Sequence, residues 1–306
     1  MSTALDALFA PTLDCRGRAL VLDRPKVVGI LNVTPDSFSD GGRHADVAAA
    51  IAHGLRMAQE GAAMIDVGGV STRPGAAAVG EQEELDRVLP VIEALAARVE
   101  LPLSVDSSRA AVMRAAVDAG AGFVNDVCAL RGEGALAAVA ELGVPVCLMH
   151  MRGEPGDMQD DPQYADVVGE VQRFLTDRLL ACELAGIARR QVLVDPGFGF
   201  GKTLAHNLAL LAGLEAFAEL GGGVYVGLSR KSMLGALTGR ASPTERVAAS
   251  VAAALVAVQR GAKLVRVHDV APTVDALAVW AGVHALDAAP RRRADRSSAP
   301  RWPDEE

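Results

Sequence analysis

The chain has 306 residues, 50% of them hydrophobic, and a formal net charge of -8 at pH 7. That length suits a single α/β barrel, a fold that commonly takes ~250 residues as one domain. The acidic balance argues against a nucleic-acid or anionic-membrane surface, because binders of those partners usually carry a broad basic patch. A small anionic ligand stays open, since a few local cations decide its binding.

Cysteine usage and the lack of targeting signals predict a cytoplasmic protein. The four cysteines form no C-x-x-C pair and show no zinc-ligand spacing, as expected in a reducing compartment. The N-terminus has neither the basic segment nor the apolar run of a signal peptide. The longest apolar stretch, Val247 to Val258, is shorter than the ~20 residues that span a bilayer.

Short Val- and Ile-rich runs alternate with longer Ala- and Leu-rich stretches along most of the chain. The short runs predict strands buried on both faces, at Lys26–Leu31, Ala63–Val67, Leu103–Val105, Gly122–Asn125, Val144–Met149, Gln191–Val194, Gly223–Gly227 and Leu264–Val267. The amphipathic stretches predict helices, at residues 46–60, 81–98, 109–119, 134–142, 163–185, 205–219, 243–260 and 272–286.

Eight β-then-α units in unbroken order predict an α/β fold, a single (β/α)8 TIM barrel, with an open doubly wound sheet as the alternative. The count of eight and the lack of a phosphate fingerprint after the first strand favour the barrel. We expect an N-terminal extension over residues 1–25, the barrel over 26–286 and a disordered tail over 287–306. Two long βα loops, residues 32–45 and 68–80, are typical of lids and binding loops.

Polar side chains gather where the predicted strands end, and in a barrel these ends converge on one mouth. They are Asn32, Asp66, Thr72, Arg73, Asp106, Asn125, Asp126, His150, Asp195, Ser229, Arg230, Lys231, Ser232, Arg266, His268 and Asp269. A single Asp or Ser after a strand is often a helix N-cap, and that interpretation stays open for Ser107, Ser108 and Asp126. It does not account for all eight strands ending in polar groups.

The set divides by charge. Its cations, which include Arg230, Lys231 and Arg266, are typical of a cleft that draws an anion, and barrels often hold phosphate on the last two loops. Its carboxylates, which include Asp106 and Asp195, either pair with the cations, bind a metal ion or accept hydrogen bonds from adjacent N–H groups of a ligand. A polar heterocycle that carries a phosphate satisfies both halves.

The run DPGFGFGKT, from Asp195 to Thr203, ends like a phosphate-binding P-loop. A P-loop has glycine five residues before its last glycine, and Pro196 stands at that position. We interpret the run as a βα turn that brings Phe198 or Phe200 near the ligand.

Two long motifs resemble the signatures of the dihydropteroate synthase family. Residues 29–42 read GILNVTPDSFSDGG, and residues 66–75 read DVGGVSTRPG. The resemblance extends over roughly residues 15–285, and the shorter family motifs follow in order at Asn125-Asp126, Leu148–Met151, Asp195–Lys202, Ser229–Ser232 and Arg266–Asp269. It implies a pterin-binding TIM barrel.

The resemblance also implies an activity. The family joins 4-aminobenzoate to 6-hydroxymethyl-7,8-dihydropterin diphosphate, giving 7,8-dihydropteroate and pyrophosphate, with Mg²⁺ as cofactor and a homodimer as assembly. The implied pterin ligands are Asp106, Asn125, Asp195 and Lys231. Asn32 is implied for Mg²⁺, and Arg266 and His268 for the diphosphate. The implied aminobenzoate site consists of Thr72, Arg73, Pro74, Phe200 and Ser232.

Catalysis is expected to rest on Asp106, Lys231 and Arg266. One departure is Val70, where the family commonly has Glu or Gln, which puts a polar contact there in doubt. Two alternatives stay open: a pterin-dependent methyltransferase domain and a non-catalytic pterin-binding homologue. Metal-dependent turnover of the diphosphate separates the enzyme from the binding protein.

Overall fold

A computed structural model describes residues 11–34, 42–71, 79–153 and 158–288. The strands in that part of the chain are β1 (Thr12–Cys15), β2 (Arg18–Val21), β3 (Lys26–Asn32), β4 (Met64–Gly68), β5 (Leu103–Asp106), β6 (Phe123–Asp126), β7 (Val146–Met149), β8 (Val192–Asp195), β9 (Val224–Val226) and β10 (Ala262–Val267). Strands β3 to β10 are parallel and close into a barrel, with β10 next to β3. The predicted (β/α)8 barrel is confirmed, and the open-sheet alternative is wrong.

Helices surround the barrel. They are α1 (Gly42–Gln59), α2 (Glu81–Ala96), α3 (Ala110–Asp118), α4 (Ala135–Leu142), α5 (Val167–Leu184), α6 (Leu204–Ala212), α7 (Ser232–Thr238), α8 (Val247–Gln259) and α9 (Val270–Ala288). Short 3-10 helices lie at Arg189–Gln191, Leu214–Phe217 and Pro243–Arg246. Across the described residues, none of the helices has the length and apolar character needed to cross a membrane.

One helix, α7, was not predicted from the sequence. Helix α7 is separated from β9 by five residues, in a segment where we predicted only a connection to α8. It has 7 residues and includes Gly235, so its apolar pattern covers only about two turns. Such a short pattern is not distinguishable from a loop by periodicity.

Local signals explain where several helices begin and end. The carboxylate of Asp166 accepts a hydrogen bond from the backbone nitrogen of Gly169 at 3.1 Å, so α5 begins later than its apolar pattern predicts. Thr203 and His206 form a reciprocal capping box at the start of α6. Gly143 ends α4 at a φ of 66°, in the left-handed region that glycine enters without steric cost.

An N-terminal hairpin, β1 and β2, closes the lower end of the barrel. Side chains of the hairpin pack in one cluster with inward-facing residues of seven barrel strands: Leu13, Cys15, Leu20 and Leu22 meet Val28, Met64, Phe123, Cys147, Leu193, Tyr225 and Leu264. Arg18 of the hairpin donates to the backbone oxygen of Ala96 at 2.6 Å, at the end of α2, where helix carbonyls lack intrahelical partners. The predicted N-terminal extension therefore includes a plug for the barrel.

The barrel interior changes character two residues further along several of these strands. Because side chains of a strand alternate between its faces, the residues two positions beyond the plug layer also point inward. They are Ile30, Asp66, Asn125, Met149, Asp195 and Arg266, and four of the six are polar or charged. The polar groups therefore lie on the carboxyl-terminal side of the apolar layer, where barrel active sites form.

Some predictions fall outside the described residues. Helix α9 ends at Ala288, two residues past the predicted barrel boundary, and the tail beyond it lies outside the described residues. Two loop segments also lie outside them: residues 35–41 of the first long loop and residues 72–78 of the second. Thr72, Arg73 and Pro74 belong to that second group.

Candidate active site

An arginine of the last strand is held by carboxylates of two other strands. Arg266 Nε donates to Asp66 Oδ2 at 2.6 Å, and Arg266 Nη2 donates to Asp106 Oδ2 at 2.7 Å. Asn125 Nδ2 donates to the same oxygen of Asp66 at 2.9 Å. Strand register explains the cluster, because Asp106 lies opposite Asn125 on one side and Gly68 on the other. Closure of the barrel then brings Arg266 against both carboxylates.

Burial sets the protonation of this cluster. Burial alone would lower the pKa of Arg266, but Asp66 and Asp106 outweigh it and raise that pKa. Burial raises the pKa of Asp106 to about 7, against the opposing effect of Arg266, and the Asp66 charge adds to the rise. The carboxyl of Asp106 therefore titrates near neutral pH, and its ionised form accepts hydrogen bonds.

A second carboxylate and cation lie at the ends of β8 and β9. Asp195 is buried, and its Oδ1 accepts a hydrogen bond from the backbone nitrogen of Gly197 at 2.7 Å. Lys231 Nζ donates to the backbone oxygen of Phe198 and lies 4.6 Å from the ring centroid of Phe200. Burial lowers the pKa of Lys231 to about 8, although Asp195 opposes the change. Burial also raises the pKa of Asp195, although Lys231 opposes that shift.

The turn that follows Asp195 is held by a buried lysine to which we had assigned no role. Lys202 Nζ donates to the backbone oxygens of Gly197 at 2.9 Å and Phe200 at 3.0 Å, and it lies 2.9 Å from His150 Nδ1. Lysine carries only donors, so His150 Nδ1 accepts. Burial lowers the pKa of His150 to about 3, which keeps the ring neutral.

This anchoring decides the orientation of the two phenylalanines. Phe198 is fully buried in the core, whereas Phe200 lies beside Lys231 and packs with Met149, Met151 and Met158. Of the pair that we expected near a ligand, Phe200 is therefore the one at the site. A Gly-Lys-Thr sequence carries no local sign that its lysine is buried, so sequence patterns missed this role of Lys202.

Arg230 is not one of the cations available to a ligand, although the sequence predicted that it would be. Its Nε and Nη2 donate to the two carboxylate oxygens of Asp269 at 3.0 and 2.6 Å. Beside this pair, Ser229 Oγ accepts a hydrogen bond from the backbone nitrogen of His268 at 3.2 Å and lies 3.0 Å from its Nδ1. These contacts join the ends of β9 and β10.

Asp126 organises its own loop. Its carboxylate accepts hydrogen bonds from the Ser108 hydroxyl and from the backbone nitrogens of Cys128 and Leu130, the last two at 2.7 Å. A carboxylate used in this way has little capacity left for a ligand. The structure therefore favours the local interpretation that the sequence left open for Asp126 and Ser108.

The remaining expected site residues lie at the rim. Asn32 is the last residue of β3. Its Oδ1 and Asp106 Oδ2 both lie next to Gly68, since a Cβ added to that glycine would be 3.7 Å from the first oxygen and 3.6 Å from the second. Ser232 begins α7 with an exposed side chain, and His268 follows β10. Asn32, Ser232 and His268 thus lie at or beyond the carboxyl ends of their strands, on the side of the mouth.

Sequence patterns understated Asp66. It stood among the polar strand ends without an assigned role, yet it is fully buried and bonds both Arg266 and Asn125. The available signal was a carboxylate inside an apolar strand, since a buried carboxylate requires a partner.

The site combines buried acceptors with cations. Asp106 and Asp195 are suited to a heterocycle with adjacent N–H donors, while Lys231 and Arg266 are suited to negative charge. Fold and site together define a barrel enzyme for a small anionic heterocycle.

Comparison with known proteins assigns the chain to a family. Residues 28–268 match the family model described as "Pterin binding enzyme". Dihydropteroate synthase of Escherichia coli (strain K12) is 51% identical over 267 residues, 87% of this chain and 94% of that protein.

Solved structures agree with this assignment. Dihydropteroate synthase of Xanthomonas albilineans with 4-aminobenzoic acid is 63% identical, covers 92% of this chain and 100% of its own, and has a TM-score of 0.86. The same organism's enzyme in complex with 7,8-dihydropteroate is 60% identical, with the same coverage and a TM-score of 0.83. This chain belongs to the pterin binding enzyme family and, within it, to the dihydropteroate synthases, which makes it a transferase of folate biosynthesis.

Proposed function

We propose that this chain condenses 6-hydroxymethyl-7,8-dihydropterin diphosphate with 4-aminobenzoate to give 7,8-dihydropteroate and pyrophosphate. The observation that carries the proposal is the cluster of buried Asn125 and Asp195 and half-buried Asp106 beside Arg266 and Lys231. Two structures of the Xanthomonas albilineans enzyme, one with 4-aminobenzoic acid and one in complex with 7,8-dihydropteroate, support the choice of substrates.

The pterin is assigned to the polar layer inside the barrel. Its amino-pyrimidinone edge offers adjacent N–H donors, and an ionised carboxylate accepts two such donors in a charge-assisted pair. Asp106 and Asp195 are the carboxylates assigned to these donors. Asn125 is assigned beside them, and its Nδ2 donates to Asp66 at 2.9 Å. Lys231 is assigned to the pterin as a donor beside Asp195.

The diphosphate is assigned to Arg266 and His268, with Mg²⁺ at Asn32. Among the described residues, no three His, Cys, Asp or Glu side chains are grouped to hold a metal ion. Mg²⁺ bound through substrate phosphates needs only one or two protein oxygens, and Asn32 Oδ1 at the rim fits that need. When bound, Mg²⁺ would stabilise the negative charge of the diphosphate.

The aminobenzoate is assigned to the outer part of the mouth. Phe200 and Ser232 are at the rim in the described structure. Thr72, Arg73 and Pro74 lie outside the described residues and are assigned to this substrate by the family resemblance. The aromatic face of Phe200 supplies apolar contact for the benzene ring, and Arg73 supplies a cation for the carboxylate.

The proposed reaction is a dissociative substitution at the exocyclic methylene carbon of the pterin. The bond from this carbon to the diphosphate oxygen breaks, and pyrophosphate leaves with the electron pair. The nitrogen of 4-aminobenzoate forms the new C–N bond and releases its proton to water. Arg266 stabilises charge that grows on the leaving group, and Asp106 and Asp195 hold the pterin as positive charge spreads through its ring.

The test is pyrophosphate release from the dihydropterin diphosphate, with and without 4-aminobenzoate and Mg²⁺. Release that needs all three components supports the synthase. Lys231→Met should lower the rate of release by about 100-fold, because it removes a preorganised charge from the site. Lys263→Met, which changes an exposed lysine on β10, serves as the matched control. Pterin binding without release would favour the non-catalytic homologue.

We also propose a cytoplasmic homodimer. None of the four cysteines forms a disulfide. Val279 and Val283, one turn apart on α9, are 71% and 58% exposed, an apolar stripe suited to a two-fold contact. Sedimentation of the double variant Val279→Glu/Val283→Glu should give monomers, whereas Leu184→Glu, at an exposed site on α5, should leave the dimer intact.

A further inference from the structure

Arg230 adopts an unusual backbone conformation directly before Lys231 of the proposed site. Its φ is +60°, in the left-handed region that non-glycine residues enter only at a cost. Such conformations persist where surrounding contacts hold them, and they cluster at functional sites. Ser229 before it contacts His268, and Lys231 after it contacts the Asp195 turn.

Contacts from two other elements hold the backbone and the guanidinium of Arg230. Its backbone nitrogen donates to Ser250 Oγ at 2.9 Å, and its backbone oxygen accepts from Arg246 Nη1 at 2.9 Å, both from the segment around α8. Its guanidinium forms the two parallel bonds to Asp269. The two side chains of this ion pair are 27% and 14% exposed, so it is largely shielded from water.

We infer that Arg230 and Asp269 are positioning residues, whose ion pair fixes Lys231 and His268 relative to each other. The inference rests on the proposed function for its effect on catalysis. A left-handed residue turns the chain sharply, so the Arg230 side chain leaves toward Asp269 while Lys231 turns to the Asp195 side. Since His268 directly precedes Asp269, one bidentate pair sets the spacing of both groups.

The alternative is that Arg230 binds the diphosphate itself and Asp269 competes for it. The two models predict opposite effects of Asp269→Ala. Released from Asp269, a ligand-binding Arg230 would bind the anion more tightly, and the KM for the diphosphate substrate would fall. A positioning pair predicts that Arg230→Ala and Asp269→Ala lower kcat alike, because either change breaks the same constraint.

The experiment measures kcat and KM of the Mg²⁺-loaded enzyme for Arg230→Ala, Asp269→Ala and the double variant. We expect each to lower kcat by about 30-fold with KM changed less than about threefold, since small misplacements cost up to about 100-fold. The double variant should match the singles, and Asp269→Glu should recover part of the loss. Arg114→Ala, which removes an exposed ion pair with Glu141, should keep full activity.

A second readout does not depend on turnover. Acetic anhydride labelling of Lys231, followed by mass spectrometry, should be at least threefold faster in Arg230→Ala and Asp269→Ala than in the unchanged protein, with Lys263 as internal control. Asp269→Asn, which keeps the shape of the side chain, covers the case in which Asp269→Ala does not fold. A lower KM in Asp269→Ala, or labelling that does not change, overturns the inference. If the unchanged protein shows no turnover, the proposed reaction fails and labelling alone decides the positioning role.

Discussion

The lower and upper layers of the barrel interior come from the same strands but have different chemistry. Below, Met64, Phe123 and Leu193 pack against apolar side chains of the N-terminal hairpin. Two residues further along, Asp66, Asn125 and Asp195 face the mouth. A shift of two positions keeps a side chain on the same face of its strand, so β4, β6 and β8 each contribute to both layers.

The difference separates stability from chemistry. The lower layer gains free energy from burial of apolar surface, which needs no directional partner. The upper layer buries charges, and their desolvation cost is offset only where partners are placed accurately, as around Arg266. We therefore expect changes below to affect unfolding and changes above to affect turnover.

The largest expected effect is that of Arg266→Ala. We expect kcat/KM for the diphosphate substrate to fall by about 1,000-fold, the scale of losing a preorganised charge at the reacting centre. Removing Arg266 also leaves Asp66 buried without its charge partner, which destabilises by about 3–5 kcal/mol. Steady-state kinetics and urea unfolding measure the two effects, with Arg240→Ala at an exposed position as the control. Unchanged affinity for the diphosphate would contradict the assignment.

Leu20→Ala tests the lower layer. The variant opens a cavity between the hairpin and the barrel strands and should lower the free energy of unfolding by roughly 2–5 kcal/mol. The mouth lies on the other side of the apolar layer, so kcat/KM should stay within twofold. Urea unfolding and kinetics on the same preparation check both statements. A large loss of activity at full stability would show that the plug acts on the site.

Two glycine variants sharpen the comparison with the same added methyl group. At Gly122 a Cβ would overlap the backbone of Cys15 in the hairpin, and at Gly197 it would overlap the backbone oxygen of His150. Gly197 also has a φ of +72°, which a side chain strains. We expect Gly197→Ala to lower kcat/KM by about 100-fold by shifting the Asp195 turn. Gly122→Ala should cost about 2 kcal/mol of stability and little activity.

The smallest expected effect is the pH dependence of kcat/KM, which reports the free enzyme. Burial raises the pKa of Asp106 to about 7, so below that pH the carboxyl is protonated and kcat/KM falls as pH falls. Burial lowers the pKa of Lys231 to about 8, so above that pH the cation is lost and kcat/KM falls again. The maximum should lie between the two values. Asp106→Asn should remove the acidic limb, and a flat profile from pH 6 to 9 would refute the assignment.

The sequence by itself determined the barrel, the family and the mouth. Short apolar strands and amphipathic helices are local patterns, since backbone alternation depends on near neighbours. Parallel strands also place their carboxyl ends on one side, so polar residues at those ends had to meet. Asp106, Asn125 and Lys231 were found in this way, and the long motifs identified the pterin-binding family.

Only the tertiary structure decided which groups pair. Arg266 meets Asp66 across 200 residues of chain, and Lys202 meets His150 across 52. The sequence predicted Arg230 as a cation for a ligand, whereas in the structure its guanidinium pairs with Asp269. No local pattern encodes such partners, because a charge is satisfied by whichever group barrel closure brings within reach. The same reason hid the hairpin plug, whose apolar residues gain their partners only when the barrel closes above them.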